Sequence, residues 1–219
     1  MPDNPSPEEL QQRIRELERE AVEVRRSQEE RIARLNTMLE AVRKVRRLIG
    51  SEKNSRGLLK RTCDILVENR GYYHVWMAFT DESGKVLFTA ESGLGERFLP
   101  IMELLESGKS TFCTRKTLEQ QSLVVIDDPA LICPECPLAG IYEDRGSMSI
   151  RLTYGENKYG MLVAAMPRNL AVREEEQTLF REIADDIAYA LFNIKLKRRR
   201  EEAENALRSQ TENILSILD

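Results

Sequence analysis

The distribution of glycine and aromatic residues divides this 219-residue chain into a central part and two flanks. All 11 glycines lie between Gly50 and Gly160, and all 13 aromatic residues lie between Tyr72 and Phe192. A globular core needs bulky side chains, and tight turns need conformationally permissive residues. Only the central part can therefore fold into a globular domain, and the flanks must adopt a simpler structure.

The N-terminal flank carries apolar residues at alternating spacings of four and three. This period of 3.5 residues predicts a left-handed coiled coil with charged residues at the outward positions. Ser6-Pro7 followed by two glutamates is typical of a helix start, and Gly50-Ser51 is expected to end the helix. We predict a coiled-coil helix over residues 1–49; the alternative is an amphipathic helix that packs on its own domain. The apolar positions are Leu10, Ile14, Leu17, Ala21, Val24, Leu35, Met38, Val42, Val45 and Ile49.

The C-terminal flank predicts a second long helix, with two apolar seams of different phase. In a continuous helix, such a phase change is a stutter. Between the seams, Lys195–Arg200 holds five basic residues, and acidic residues one turn later favour i,i+4 ion pairs over a nucleic-acid or membrane contact. We expect residues 195–219 to form a signalling helix, truncated before a further domain. The seams are Phe180, Ile183, Ile187, Ala190 and Ile194, then Ala203, Leu207, Gln210, Ile214 and Ile217.

The central part alternates helix and strand patterns. This order predicts an α+β fold, with a mostly antiparallel sheet and helices on one face. Helical patterns cover residues 54–70 and 96–105, and strand patterns cover 73–80, 85–91, 122–126, 147–154 and 158–166. The first two strands and the last two are separated by short turn sequences, so each pair is predicted to form a hairpin. The loop after Pro129 contains two prolines and two cysteines, and neither the helical nor the strand periodicity accounts for it.

Charge and cysteine content exclude several classes of protein. The formal net charge is −4 with interspersed signs, so no segment has the basic excess of a nucleic-acid-binding protein. No apolar run approaches the ~20 residues of a transmembrane helix, and the polar N-terminus is not a signal peptide. We therefore expect a cytoplasmic protein without membrane insertion. In that compartment, four cysteines indicate free thiols, metal ligands or redox chemistry before structural disulfides.

Three of the cysteines are the sharpest local signal. Cys133 and Cys136 form a CxxC motif that Pro134 and Pro137 stiffen, and Cys113 lies 20 residues upstream of Cys133. Three thiolates suit Zn²⁺ or an iron–sulfur cluster, although the sequence offers no fourth ligand nearby. The same thiols suit a reversible disulfide, because a CxxC motif can lower the pKa of one thiol. A metal site, redox thiols and a structural role all remain open.

The other chemistry-bearing residues are predicted to be structural. Cys63 lies on the apolar stripe of a helix, and His74, the only histidine, lies on a strand. Trp76 lies on the same strand and either belongs to the core or lines a pocket. The sequence has no Ser-His-Asp arrangement, no phosphate-binding glycine loop and no HExxH motif. We therefore expect no catalytic residues in this chain.

Residues 50–194 resemble a GAF domain. The resemblance rests on the strand pair SMSIRLTYGENKYGMLVAAM and on the helix EEEQTLFREIADDIAYAL. It is closest to the GAF domains of bacterial and archaeal sensor histidine kinases. A subset of these carries a cysteine before the third strand and a CxxCPL segment after it, here Cys113 and residues 133–138. The resemblance implies a dimer bundle of helices on one side of an antiparallel sheet, a pocket on the other, and helical linkers to a PAS or kinase domain.

The expected function is a non-enzymatic sensory module of a two-component system. A homodimer would detect a small ligand, a metal or iron–sulfur centre, or a redox state through Cys113, Cys133, Cys136 and Trp76. The flanking helices would transmit the change to a downstream domain. Two alternatives stay open: a GAF-fold methionine sulfoxide reductase, which uses three cysteines for thiol–disulfide catalysis, and a ligand-free dimerisation spacer.

Overall fold

The structure is a computed structural model that describes residues 6–120 and 122–218, with side chains up to residue 210. The described residues form two compact units, one ending at Glu40 and the other beginning at Ala41. Helix α1 (Pro7–Ser51) makes up the first unit and supplies the beginning of the second. None of the described helices combines the length and the apolar composition that a membrane crossing requires.

The start of α1 is fixed by a reciprocal pair of hydrogen bonds. The Glu9 N–H donates to Ser6 Oγ at 3.2 Å, and the Ser6 N–H donates to Glu9 Oε2 at 2.7 Å. This capping box satisfies two backbone donors that a helix N-terminus would otherwise leave unpaired. The predicted start and the predicted end at Gly50-Ser51 are confirmed. Several apolar side chains of the predicted seam are exposed, among them Leu10, Ile14, Leu17, Val24 and Leu35.

A five-stranded antiparallel sheet of order β2-β1-β5-β4-β3 forms the centre of the second unit. The strands are β1 (His74–Thr80), β2 (Val86–Ser92), β3 (Val124–Ile126), β4 (Arg145–Tyr154) and β5 (Asn157–Pro167). The predicted hairpins, β1–β2 and β4–β5, are confirmed, and β5 also pairs with β1. Gly160 is required where these strands meet, because a Cβ there would lie 1.8 Å from the Ala78 carbonyl oxygen and its φ is +132°.

Six further helices accompany the sheet. They are α2 (Ser55–Arg70), α3 (Leu99–Glu106), α4 (Phe112–Glu119), α5 (Pro129–Ile132), α6 (Arg168–Ala171) and α7 (Glu174–Leu218), with 3₁₀ turns at Gly95–Phe98 and Ala139–Ile141. Helix α2 packs on β1 and β2, whereas α7 packs on β4 and β5 and also contacts α2. The predicted α+β architecture with a long helix at each end is confirmed.

A buried polar network ties the end of α2 to the start of α7. The Arg70 guanidinium and the Tyr72 hydroxyl both donate to the Glu176 carboxylate, with Arg70 Nε 3.2 Å from Glu176 Oε1. The side chains of Arg70 and Glu176 are 3% and 1% exposed. Because an uncompensated buried charge is costly, this network fixes the start of α7 against the end of α2.

Helix α7 is continuous from Glu174 to Leu218, so the phase change between its two predicted seams lies within one helix. The predicted i,i+4 ion pairs are confirmed at Lys197–Glu201, Arg198–Glu202 and Arg200–Glu204. The first seam is buried as far as Ala190. Ile214 and Ile217 of the second seam lie outside the described side chains.

Candidate functional site

The three cysteines are positioned by two short helices at one edge of the sheet. Cys113 is the second residue of α4, whose start is capped by the Thr111 side chain. Cys133 directly follows α5, where it ends that helix. The Cys136 N–H then donates to the Cys133 carbonyl oxygen at 3.0 Å, so the CxxC motif forms one tight turn.

The structure brings Cys113, Cys133 and Cys136 into a single cluster. Cys133 is buried against Val124 and Ile126 of β3, and the partly buried Cys113 and Cys136 pack on the same group. All four cysteines of the chain are free thiols, and the fourth, Cys63, is buried in α2 away from this cluster. The segment through β3 and α5 thus folds back and brings Cys133 next to Cys113, although 20 residues separate the two in the sequence.

The thiols of Cys113 and Cys133 differ in acidity because they share a hydrogen bond. Donation from the Cys133 thiol lowers the pKa of Cys113 to about 6 against the opposing effect of burial, and the Thr111 and Thr114 side chains lower it further. Thr111 Oγ1 lies 3.1 Å from Cys113 Sγ. The same hydrogen bond, together with burial, raises the pKa of Cys133. At neutral pH, Cys113 is therefore a thiolate beside a protonated Cys133.

Cys136 has the opposite character to Cys113. Burial raises the pKa of its thiol, and the negative charge of Cys113 adds to this increase. The cluster therefore holds one nucleophilic thiolate and two protonated thiols, and Cys133 is the one that donates to the thiolate. This arrangement suits formation of a disulfide between Cys113 and Cys133.

A buried tyrosine–histidine pair lies beside the cluster. Tyr142 Oη is 3.4 Å from His74 Nε2, and both side chains are buried. Burial raises the pKa of Tyr142, and the three neighbouring cysteines raise it further. Burial lowers the pKa of His74 to about 4, with a further contribution from Arg145, so the imidazole is neutral. His74 is a core residue, as predicted, although its contact with Tyr142 was not foreseen.

Trp76 belongs to an apolar cluster that connects the sheet to the cysteine loop. Its ring is 2% exposed and lies 5.8 Å from the Phe98 ring, measured between centroids. Leu138 and Tyr142 of the cysteine loop belong to the same cluster, and Cys136 packs against it. Trp76 thus contributes to the support of the loop that carries Cys136.

A metal centre is the other chemistry that the sequence predicts for the cysteine cluster. Among the side chains described in residues 6–120 and 122–210, no three or more His, Cys, Asp or Glu residues are arranged to hold a metal ion. The predicted Zn²⁺ or iron–sulfur site stays a prediction, which metal analysis of the purified protein tests.

The fold is that of GAF domains. The chain is similar to the GAF domain of a phosphoenolpyruvate-protein phosphotransferase from Coxiella burnetii, with a TM-score of 0.57, 18% identity, and coverage of 74% of this chain and 97% of that one. It is also similar to the free methionine-R-sulfoxide reductase of Neisseria meningitidis in complex with its substrate (TM-score 0.54, 15% identity, 73% and 91% coverage). A third similar structure is the A. aeolicus Nlh2 GAF domain in an inactive state (TM-score 0.52, 12% identity, 75% and 99% coverage).

No protein-family model matches the sequence, and no curated protein sequence matches it significantly. The structural likenesses establish a GAF-like fold. Because the similar structures include an enzyme as well as GAF domains of larger proteins, the function has to be argued from the site.

Proposed function

We propose that this chain is a GAF-fold sensory module whose input is oxidation of the cysteine cluster and whose output passes through α7. The observation that carries the proposal is the packing of Cys113 and Cys136 around the buried Cys133 at β3. The neighbouring Cys133 thiol lowers the pKa of Cys113 within this cluster. A low-pKa, partly exposed thiolate next to a second thiol is the arrangement that redox-sensing cysteines use. The module belongs to a cytoplasmic histidine kinase of a two-component system, with a PAS or kinase domain downstream.

The sensing step consumes a hydroperoxide. The Cys113 thiolate attacks the distal peroxide oxygen, the O–O bond breaks, and the leaving alkoxide takes a proton, which gives Cys113 sulfenic acid and an alcohol. The Cys133 sulfur then attacks the sulfenic sulfur, and the departing hydroxide combines with the Cys133 proton as water. The two cysteines lose two electrons in total, and the hydroperoxide gains them.

Disulfide formation would displace α4 and the cysteine loop relative to the sheet. The two sulfurs, which now pack in one cluster, would move to about 2.05 Å from each other. Helix α4 is bound to β4 by Thr117 Oγ1, 2.6 Å from Ser149 Oγ, and by Arg151, which donates to the carbonyl oxygen of Gln120 at 3.1 Å. Because α7 packs on β4 as well, a shift of α4 has a short route to the exit helix.

A homodimer is the assembly in which α7 transmits a signal. Leu10, Ile14 and Leu17 of the predicted seam are about half exposed in the single chain. Helices with such a seam gain most of their stability from tertiary or interchain packing, so a second copy of α1 is the partner we propose. Sedimentation equilibrium at micromolar concentration should give a dimer, and a monomer would contradict this part of the proposal.

The redox proposal is tested by peptide mapping of the full chain. The reduced protein receives equimolar hydrogen peroxide, and the remaining thiols are then alkylated before digestion. We expect a Cys113–Cys133 disulfide as the main product, with Cys63 reduced because it is completely buried. A Cys133→Ala variant should instead form Cys113 sulfenic acid that dimedone traps, and more slowly than the wild type reacts, because the pKa of Cys113 rises without the Cys133 thiol. Cys63→Ala is the matched control that behaves like the wild type. A Cys113 that stays reduced in tenfold excess peroxide would refute the proposal.

A second candidate is thiol-dependent reduction of free methionine sulfoxide. It is favoured by the same thiolate–thiol pair and by the structural similarity to the Neisseria meningitidis enzyme. In this reaction two thiols form a disulfide, and the sulfoxide oxygen leaves as water. Turnover of free methionine-R-sulfoxide with dithiothreitol, lost in Cys113→Ser or Cys136→Ser, would establish the enzyme. If neither peroxide-driven disulfide formation nor sulfoxide turnover is observed, the remaining function is that of a ligand-free dimerisation spacer.

A further inference from the structure

A large cleft lies outside the cysteine cluster, between the β1–β2 hairpin, the start of α2 and the middle of α7. Its volume is about 1080 Å³, which is sufficient for a small organic ligand. The lining residues include seven basic and five acidic side chains, so the cleft carries an excess of positive charge. This differs from the chain as a whole, whose formal net charge is −4.

One carboxylate balances two cations at the centre of the cleft. Glu82 in the hairpin accepts from Lys195 Nζ at 2.7 Å and from Arg199 Nη2 at 3.2 Å. The Glu82 side chain is 73% exposed, so water and ions compete for its carboxylate. Glu82 can therefore separate from Lys195 and Arg199 without disrupting the fold. Lys158 also lines the cleft, and within residues 6–120 and 122–210 it makes no ion pair.

The Tyr159 hydroxyl is a buried donor without a partner in this cleft. The residue is 2% exposed, and its Oη has no hydrogen-bond partner among the described residues. Tyr159 lines the same cleft as Glu82 and Arg199, and the charges of both act on its pKa. Because burial raises the pKa of Tyr159, the hydroxyl stays protonated and can donate to an acceptor. Buried hydroxyls normally have such an acceptor, so this one points to a missing ligand.

An aromatic wall completes the cleft. The rings of Phe79 and Phe88 stack with centroids 4.9 Å apart, and the Arg56 guanidinium lies 4.6 Å from the Phe88 centroid. All three residues line the cavity. Because Phe79 and Arg56 cover the two faces of Phe88, the outer face of Phe79 is the one left for a planar group. Lysine and arginine side chains bind phosphate oxygens.

We infer that this cleft binds a small organic phosphate with a planar group, held by Lys195, Arg199 and the Tyr159 hydroxyl. Glu82 occupies the place of the phosphate in the unliganded chain and leaves when the ligand binds. The planar group lies against the outer face of Phe79, whose inner face stacks on Phe88. This inference does not depend on the cysteine chemistry, because none of the three clustered cysteines lines the cleft.

Isothermal titration calorimetry of the full reduced chain tests the inference, with ATP and inorganic pyrophosphate as probes at about 0.15 M salt. We expect ATP to bind with one site per chain and more tightly than pyrophosphate. Arg199→Gln should weaken ATP binding about tenfold, the usual effect of losing one charge-assisted hydrogen bond. Glu82→Gln should strengthen it severalfold, because the competing carboxylate is gone. Tyr159→Phe should weaken it severalfold while leaving the circular dichroism spectrum unchanged.

Arg200→Gln is the matched control for charge. Arg200 is the next residue of α7 but is absent from the lining and pairs with Glu204, so its loss should leave ATP affinity unchanged. An equal weakening by Arg199→Gln and Arg200→Gln would show general charge attraction and overturn the site. No binding of either probe at millimolar concentration, or weaker binding after Glu82→Gln, would overturn it too. Equal affinity for ATP and pyrophosphate would refute the role of the aromatic wall.

Discussion

Replacing Cys133 by alanine should raise the pKa of Cys113, because the Cys133 hydrogen bond is the largest cause that lowers it to about 6. A thiol with that pKa is roughly nine-tenths ionised at pH 7, whereas a free cysteine with a pKa near 8.5–9 is only a few per cent ionised or less. Without the Cys133 thiol, the largest effect that lowers the pKa of Cys113 is lost, and burial still raises this pKa. The fraction of Cys113 that is ionised at pH 7 should therefore fall by about tenfold or more.

Alkylation kinetics measure this change directly. The rate of iodoacetamide addition to Cys113 is followed by peptide mass spectrometry between pH 5 and pH 9. In the wild type, the rate should rise with pH through a midpoint near 6 and level off above pH 7, because only the thiolate reacts. Cys133→Ala should move the midpoint upward, whereas Cys136→Ala should leave it in place. A wild-type midpoint at 8 or above would refute the assignment of Cys113 as the thiolate.

Two further substitutions test how the domain is held together, each followed by urea denaturation. Glu176→Gln leaves the buried Arg70 without its counter-ion and should lower the free energy of unfolding by about 3–5 kcal/mol. Tyr72→Phe removes one hydrogen bond to the same carboxylate and should cost about 1–2 kcal/mol, so equal losses would contradict the ion pair's role. Gly160→Ala forces a Cβ onto the β1 backbone and should cost about 3 kcal/mol or prevent folding. Gly84→Ala, also at positive φ but in open space, should cost about 1 kcal/mol, and a similar loss at both glycines would argue against the clash.

The parts of the fold that sequence periodicity predicts are those whose residues interact locally. The predicted strands and the two hairpins match β1, β2, β4 and β5 within two residues, because alternation and turn residues are encoded within short segments. The capped start at Ser6 was equally predictable, since both halves of its capping box lie within four residues. The i,i+4 pairs after Lys195 follow the same logic.

The site was predictable in composition but not in geometry. The sequence singles out Cys113, Cys133 and Cys136, yet it does not reveal that α4 holds Cys113, since eight residues carry too little periodicity for a helix prediction. The difference in thiol pKa depends on which sulfur donates to which, and that is decided by tertiary packing against β3. The contact of Glu82 with Lys195 joins residues 113 positions apart, and no local pattern signals it.

Hydrogen–deuterium exchange of α7 in the reduced and the peroxide-oxidised chain tests the central claim most directly. The claim is that a disulfide at the cysteine cluster changes how α7 packs on β4. Exchange in peptides covering residues 112–142 should change on oxidation whether or not the claim holds, because these peptides contain the cysteine cluster. The decisive peptides are those covering residues 174–195. We expect exchange in 174–195 to change after oxidation of the wild type and to stay unchanged in Cys133→Ala. Altered exchange confined to 112–142, with 174–195 identical in the two states, would contradict it.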